Sequence, residues 1–270
     1  MSSHPTFGYL AGVIPSTIKR NTKLYTAQPS ELAEGTIIVT HKNPYPTKIR
    51  IMVVDQTDYN PSTGLPVPQV ATKSFCYFNI FVGEGQTFET QTMYVSDSQS
   101  ILVWSDRPDT NFVFQGSVVT LPETGSGLIA SKVVDRENRQ EILLNNGADD
   151  QKTVTIFACN KGADVARIRM GVATAGRPYP YIEGTEYYDF NIKLSPGQTY
   201  VRTNVRVGEN KDIIVRSDSS DVNWVALGTS NFEATTQVSL ALPGNLSIGG
   251  TSTFQGESTF SDDITIDSSE

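Results

Sequence analysis

Two similar stretches hold several side chains that could do chemistry close together: SDRPDTNF from Ser105 and SDSSDVNW from Ser217. Ca²⁺ takes about 6 to 8 oxygen ligands, which carboxylates and amides supply. Each stretch lies between two apolar, strand-like segments, where Asp and Asn bond back to their own backbone in hairpin turns. A hairpin turn is the favoured interpretation and calcium the alternative, and we predict no metal or other cofactor. The candidate ligands for the alternative are Asp106, Asp109, Asp218, Asp221 and Asn223.

The sequence contains few clear candidates for a catalytic base or acid. The only histidines are His4 and His41, and His41 lies in a strand pattern that predicts a half-exposed residue, with Ala158 as its counterpart in the second copy of the repeat described below. A nucleophilic triad needs a base and an orienting acid around its Ser or Cys. The acidic pairs at 149–150 and 262–263 lie in turn-like segments, where Asp is expected anyway. We therefore predict that the protein is not an enzyme.

Tyrosines are concentrated in RPYPYIEGTEYYDF, which runs from Arg177 to Phe190. Tyrosine offers a rigid apolar surface with a polar tip and suits both sugar stacking and protein docking. A packed loop between strands is the alternative. The candidate binding surface consists of Tyr179, Tyr181, Tyr187 and Tyr188.

Composition excludes several classes of partner. The 270 residues carry a formal net charge of -8 with no run of more than two Lys or Arg, so a nucleic-acid partner is not expected. No segment approaches the ~20 apolar residues of a membrane span, and the start has no signal-peptide pattern, so we expect neither membrane insertion nor secretion. Two buried thiols are favoured over one disulfide for Cys76 and Cys159.

The chain contains two tandem copies of one domain. A shift of 112 residues aligns Phe78–Gly116 with Phe190–Gly228 and gives 15 identities in 39 positions. Upstream, TIIVTHKN from Thr36 pairs with TVTIFACN from Thr153, KIRIMVV from Lys48 pairs with RIRMGVA from Arg167, and GVIPS from Gly12 pairs with GLIAS from Gly127. The period inside each copy is two, with short β-branched and aromatic segments between turn residues. This pattern predicts an all-β protein with two tandem immunoglobulin-like or jelly-roll-like sandwiches.

The sequence divides into three regions: a first sandwich at 1–122, a second at 123–243 and a short β-repeat stalk at 244–270. LPETGSG, from Leu121 to Gly127, is a predicted hinge. In the last region, short apolar segments are separated by Gly, Ser and Thr. A single chain cannot bury these segments by itself, but identical chains that wind around each other can. We therefore predict a homotrimer. The predicted oligomerisation residues are Leu246, Ile248, Phe254, Phe260, Ile264 and Ile266.

The segment LSIGGTSTFQGESTFSDDITI resembles the stalk repeats of bacteriophage tail fibres, and the sandwich repeats resemble modules of structural proteins from marine phages, particularly those of cyanobacteria. The resemblance implies a non-enzymatic virion protein made in the host cytoplasm. It would be a fibre or fibre-connector on a tail, baseplate or neck that docks to other virion proteins. A capsid decoration or head-fibre protein is one alternative, and an adhesin for a host-surface glycan or receptor is another.

Overall fold

The computed structural model describes residues 7–55, 59–60, 65–66, 74–120, 126–148 and 150–230. Their regular elements are strands, apart from one 3-10 turn at Gly184–Glu186. The strands of the first module are β1 (Phe7–Val13), β2 (Thr22–Thr26), β3 (Glu31–His41), β4 (Thr47–Asp55), β5 (Tyr59–Asn60), β6 (Leu65–Pro66), β7 (Phe75–Val82), β8 (Thr87–Glu89), β9 (Met93–Ser96), β10 (Gln99–Ser105) and β11 (Thr110–Thr120). Those of the second module are β12 (Gly127–Val133), β13 (Glu141–Leu144), β14 (Lys152–Asn160), β15 (Ala166–Thr174), β16 (Tyr187–Leu194), β17 (Thr199–Val207), β18 (Lys211–Ser217) and β19 (Val222–Ser230).

Each module is a sandwich of two antiparallel sheets with the same strand order. In the first module the sheets run β1-β11-β3-β8, with β9 also paired to β3, and β2-β10-β4-β7. In the second they run β12-β19-β14-β17 and β13-β18-β15-β16. Strands β5 and β6 form a separate two-stranded pair. The predicted all-β sandwich class is confirmed.

The pairing pattern selects the jelly roll from the two predicted sandwich types. In the second module the first strand pairs with the eighth, the second with the seventh, the third with the sixth and the fourth with the fifth. These are the pairs of one long hairpin rolled into two four-stranded sheets, which is the jelly-roll arrangement. The immunoglobulin sandwich has a different division of seven or nine strands.

The Ser-Asp turns do not close hairpins, and that part of the prediction is wrong. Strand β10 pairs with β2 and β4, whereas β11 pairs with β1 and β3. Strands β18 and β19 are separated between two sheets in the same way. Each turn therefore carries the chain from one sheet of the sandwich to the other. The strands before and after such a turn show the same apolar alternation as the two strands of a hairpin. The sequence pattern therefore does not distinguish the two arrangements.

The upstream halves of the two copies align at a single shift of 119 residues. Gly8 and Gly127 are equivalent: both open the first strand with a positive φ, of 92° and 88°, and both precede a register shift against the last strand. The predicted pairing of Gly12 with Gly127 is therefore wrong by four residues and that of Thr36 with Thr153 by two, whereas that of Lys48 with Arg167 is confirmed. The two copies differ in length between β4 and β7, where the first copy has the longer connection.

The two modules pack together through a buried interface. The edge strands β7 and β9 of the first sandwich lie against the outer face of β14 and β19 of the second. Phe157, Val225 and Leu227 project from that face into the core cluster of the first module and are fully buried. The edge of the Tyr77 ring meets Phe157, with centroids 5.5 Å apart. The second module's sheet is thus buried on both faces, which explains the unbroken apolar run in β14.

The predicted hinge can be followed only at its end, because residues 121–125 lie outside the described ranges. The Ser96 hydroxyl donates to the carbonyl of Ser126. The Gln99 amide binds both backbone groups of Leu128, at 2.7 and 3.1 Å. The second module thus begins hydrogen-bonded to the first, and both belong to one compact unit.

Candidate functional site

The acidic residues of the two Ser-Asp turns hold neighbouring strands. The Asp106 carboxylate accepts the backbone N–H of Lys48 at 2.8 Å and the Thr47 hydroxyl at 3.0 Å. The Asp218 carboxylate accepts the backbone N–H of Arg167 at 2.6 Å. Lys48 and Arg167 are equivalent, so the same bond secures the start of β4 in one module and of β15 in the other.

The remaining turn residues also have equivalent contacts in the two copies. The Asp109 carbonyl accepts the N–H of Lys42 at 3.2 Å, and the Asp221 carbonyl accepts that of Lys161 at 3.0 Å. Asn223 is fully buried and donates to the carbonyl of Phe75 at 2.7 Å, across the module interface. No group of three or more His, Cys, Asp or Glu that could hold a metal ion occurs in the ranges the structure describes.

His41 is fully buried, so the expectation of a half-exposed residue is wrong. Its Nε2 lies 2.6 Å from the carbonyl of Tyr45 and its Nδ1 lies 3.1 Å from the Thr110 hydroxyl. The counterpart is Asn160, whose amide donates at 2.7 Å to the carbonyl of Asp164, also four residues ahead. The expected counterpart, Ala158, was misplaced by the same two-residue error. Both side chains stabilise the loop that follows the third strand.

The four candidate tyrosines divide into two pairs of different character. Tyr181 and Tyr187 pack against a small apolar cluster on the outer face of β15 and β18, with Ile182 at its centre. Gln140 ties the loop down because its amide donates to the Ile182 carbonyl and the Tyr187 hydroxyl, both at 2.9 Å. Tyr179 and Tyr188 are about half exposed, at 51% and 47%. The segment is thus a packed loop that still presents tyrosine surface.

A cavity of about 340 Å³ lies beside this loop. Tyr181 forms part of its wall, and the edge-to-face contact of Tyr181 with Tyr179, at 5.7 Å, extends the aromatic surface. The Arg139 guanidinium lies 5.1 Å from the centre of the Tyr179 ring. The structure therefore brings Tyr179 into contact with Tyr181, which lines the cavity, while Tyr188 forms no ring pair with either of them among the described residues.

Cys76 and Cys159 are free and buried, as predicted. They meet at the module interface, where the Cys159 thiol donates to the carbonyl of Cys76 at 2.9 Å. Burial raises the pKa of Cys159 to about 12 and holds the pKa of Cys76 well above its usual value. Both thiols therefore stay protonated at neutral pH.

Sequence reasoning missed three arginines that project from the outer face of the second module: Arg167, Arg169 and Arg216. The alternation of arginine with isoleucine in RIRM signals only an exposed strand face. The third arginine comes from β18, and its position opposite Arg169 requires the register of the sheet.

The predicted oligomerisation residues, Leu246, Ile248, Phe254, Phe260, Ile264 and Ile266, lie outside the described residues. Within the described ranges, the structure has no helix with the length and apolar character needed to span a membrane.

No protein-family model matches this chain, and no curated protein is significantly similar to it.

Proposed function

We propose that the protein is a non-enzymatic structural component of a virion, a fibre or fibre-connector attached to a phage tail, baseplate or neck. The buried interface that joins two copies of one module into a single unit carries this proposal. A fibre or connector must keep its docking surfaces at a fixed spacing. The module interface provides that spacing, because Ser126 and Leu128, at the start of the second module, are hydrogen-bonded to the first module.

The acidic and histidine side chains of the described residues also support a structural role. Asp106, Asp218 and His41 secure loops and strand ends, and Asn223 joins the modules. A catalytic acid or nucleophile needs a substrate-facing position, whereas these groups are hydrogen-bonded to backbone and hydroxyl groups of the fold itself.

Attachment would work by multivalent docking. If residues 244–270 wind into a three-chain stalk, each module is presented three times on one particle. Linkage converts the second and third contacts into intramolecular events, so individually weak contacts give stable attachment. Those contacts would be made to neighbouring virion proteins.

Light scattering on the full chain tests the trimer. We expect three times the mass of one chain, and one chain's mass after removal of residues 243–270. Leu246→Asp with Ile264→Asp should have the same effect, because a charge on the shared axis cannot be buried without a partner. Thr251→Asp is the matched control and should leave the trimer intact. A full chain that is monomeric at micromolar concentration would contradict the stalk.

Immunogold labelling of purified phage particles tests the virion assignment. Label along the tail, baseplate or neck is the expected result. Label distributed over the head would favour the capsid-decoration alternative, and particles without label would contradict the proposal.

The aromatic surface at the cavity favours a second candidate function, an adhesin for a host-surface glycan. Tyr179 and Tyr181 present two rings at right angles beside a pocket of suitable volume. Binding on a glycan array that is lost with Tyr179→Ala and Tyr181→Ala, but kept with Tyr9→Ala, would support it. Tyr9 is an exposed tyrosine of the first module and controls for general stickiness.

A further inference from the structure

The outer faces of β4 and β15 carry cations at equivalent positions, but the residues opposite those cations on the neighbouring strands differ in chemistry. In the first module each cation on this face lies opposite an aromatic residue. Arg50 lies opposite Trp104, with its guanidinium 4.2 Å from the centre of the Trp104 ring system and 4.3 Å from that of Phe78. Lys48 lies opposite Phe81, with its ammonium 5.1 Å from the ring centre. On this face of the first module, each cation is therefore engaged by an aromatic ring through a cation–π contact.

In the second module both opposing aromatic residues are replaced by cations. Arg216 stands where the first module has Trp104 and lies directly opposite Arg169. Lys193 stands where it has Phe81 and lies directly opposite Arg167. Like charges directly opposite each other on neighbouring strands are destabilising. The second module therefore maintains an unfavourable arrangement that the first module avoids.

A cavity of about 340 Å³ opens where the Trp104 ring system is missing. It contains three guanidinium groups and one carboxylate. That carboxylate, of Asp218, accepts the backbone N–H of Arg167 and forms a loose ion pair with the Arg167 guanidinium at 3.6 Å, so it leaves Arg169 and Arg216 unneutralised. Its volume is at the lower end of the range for small-molecule sites. We name it the arginine pocket, and its lining residues are Asn138, Arg167, Arg169, Asn191, Arg216 and Asp218.

Asparagine amides hold the guanidinium groups at this pocket. Arg169 Nε donates to the Asn191 amide oxygen at 2.7 Å, and an Arg216 terminal nitrogen donates to that of Asn138 at 3.2 Å. The Arg169 guanidinium also stacks on Phe190, with 4.0 Å to the ring centre. A guanidinium carries five N–H donors, so most of them remain for a ligand.

We propose that the arginine pocket binds an acidic sugar through the sugar's carboxylate or sulfate group. Planar guanidinium groups bind such oxyanions with paired, charge-assisted hydrogen bonds. A bound anion would also offset the repulsion between Arg169 and Arg216. The amide NH₂ groups of Asn138 and Asn191, whose oxygens are engaged by arginine, can donate to ring hydroxyls. The pocket's small volume fits one sugar residue better than an extended peptide.

This site is separate from the tyrosine cavity and independent of the virion assignment. Asn138 lines the arginine pocket and the next residue, Arg139, lines the other cavity. Binding here can therefore be present or absent whether or not the chain forms a trimer or belongs to a particle.

Isothermal titration calorimetry of the full chain with glucuronate, glucose and sodium sulfate tests the proposal. We expect glucuronate to bind at least about tenfold more tightly than glucose, because the guanidinium groups require an anion. Sulfate should bind more weakly than glucuronate because it leaves the asparagine amides without a hydroxyl. Arg216→Trp, which copies the first module, should lower the affinity for glucuronate about tenfold or more.

Two further variants complete the test. Arg216→Gln should weaken binding in the same way and replaces the Trp variant if that variant has a lowered melting temperature. Arg206→Gln removes the same charge from an exposed position on β17 outside the pocket and should leave the affinity unchanged. Equal binding of glucose and glucuronate, or unchanged affinity in Arg216→Gln, would overturn the site. Sulfate as tight as glucuronate, or a tetra-aspartate peptide that binds more tightly, would overturn the sugar and assign an inorganic anion or a protein partner.

Discussion

The sheet that contains β3 and β11 has the same strand order and register as its counterpart with β14 and β19, and the inner face of each packs on the core of its module. The outer faces of the two sheets differ in burial. In the first module Ile38 and Thr40 are half-buried and Gln115 is exposed. Their equivalents, Phe157, Cys159 and Leu227, are fully buried against the other sandwich. Equivalent faces of the same fold are thus partly exposed in the first module and buried in the module interface in the second.

The opposite sheets differ in the same manner, since Trp104 and Phe81, the aromatic residues opposite cations in the first copy, are replaced by Arg216 and Lys193 in the second. The inner faces cannot diverge in this way, because alternate side chains along a strand serve one core. The two copies therefore share the jelly-roll core and differ on their outer faces.

The largest contrast is expected at the interface itself. Phe157→Ala should lower the free energy of unfolding by about 3–5 kcal/mol, because it leaves a cavity between two packed modules. Ile38→Ala at the equivalent half-buried position should cost about 1 kcal/mol. Urea unfolding measures both. A single transition in the wild-type chain is expected, and two separate transitions with equal costs for the two variants would contradict a joint core.

A second contrast concerns Asn223 and its equivalent Asn111. Asn223→Ala leaves the Phe75 carbonyl buried without that donor and should destabilise the protein by about 1–3 kcal/mol. Asn111→Ala, on the half-buried face of β11, should change stability by about 0.5 kcal/mol or less. Thermal unfolding of the two variants side by side is the measurement. Equal shifts would show that the bond across the interface contributes nothing.

The Ser-Asp turns should differ more subtly. Asp106 accepts two described hydrogen bonds and Asp218 one, besides a loose ion pair with Arg167 at 3.6 Å. Asp106→Asn should therefore cost about 1–2 kcal/mol and Asp218→Asn about 1 kcal/mol or less. Added Ca²⁺ should leave the melting temperature of the wild type unchanged. A calcium-dependent rise that either variant abolishes would restore the metal interpretation.

The smallest effect is expected for the thiols. Burial keeps Cys76 and Cys159 protonated, so a thiol reagent at pH 8 should react with neither in the native protein and with both in guanidinium chloride. Because the raised pKa values lie above this pH, raising the pH from 7 to 9 should not accelerate the native reaction. Rapid reaction of one thiol in the native state would mean that the modules separate in solution.

The period of two and the internal repeat were sufficient to predict an all-β protein with two sandwich modules. They could not assign strands to sheets, because a turn that crosses between sheets and a turn that closes a hairpin join the same kind of apolar segments. They matched Lys48 with Arg167 correctly but misplaced two other upstream segments. The matches at Gly12 and Thr36 rest on a few common residues, whereas hydrogen-bond register identifies Gly8 with Gly127.

The candidate sites show the same limit. The tyrosines could be recognised as a local cluster, and the structure places the Tyr179 ring against Tyr181, which lines a cavity. The arginine pocket was not visible, because Arg216 lies far in sequence from Arg167 and only the β15–β18 register places them on one face. Residues that are consecutive can be recognised from sequence alone, and residues that meet across strands cannot.

The first strand of each jelly roll lies against the last, as Gly8 with Gly116 and Gly127 with Gly228. The chain therefore leaves a module beside the place where it entered. Units with adjacent ends tolerate insertion and tandem copying, because nothing has to be threaded through the existing body. Duplication of the gene segment therefore adds a complete module in one step. The outer faces of the new copy can then change by mutation while its core stays the same.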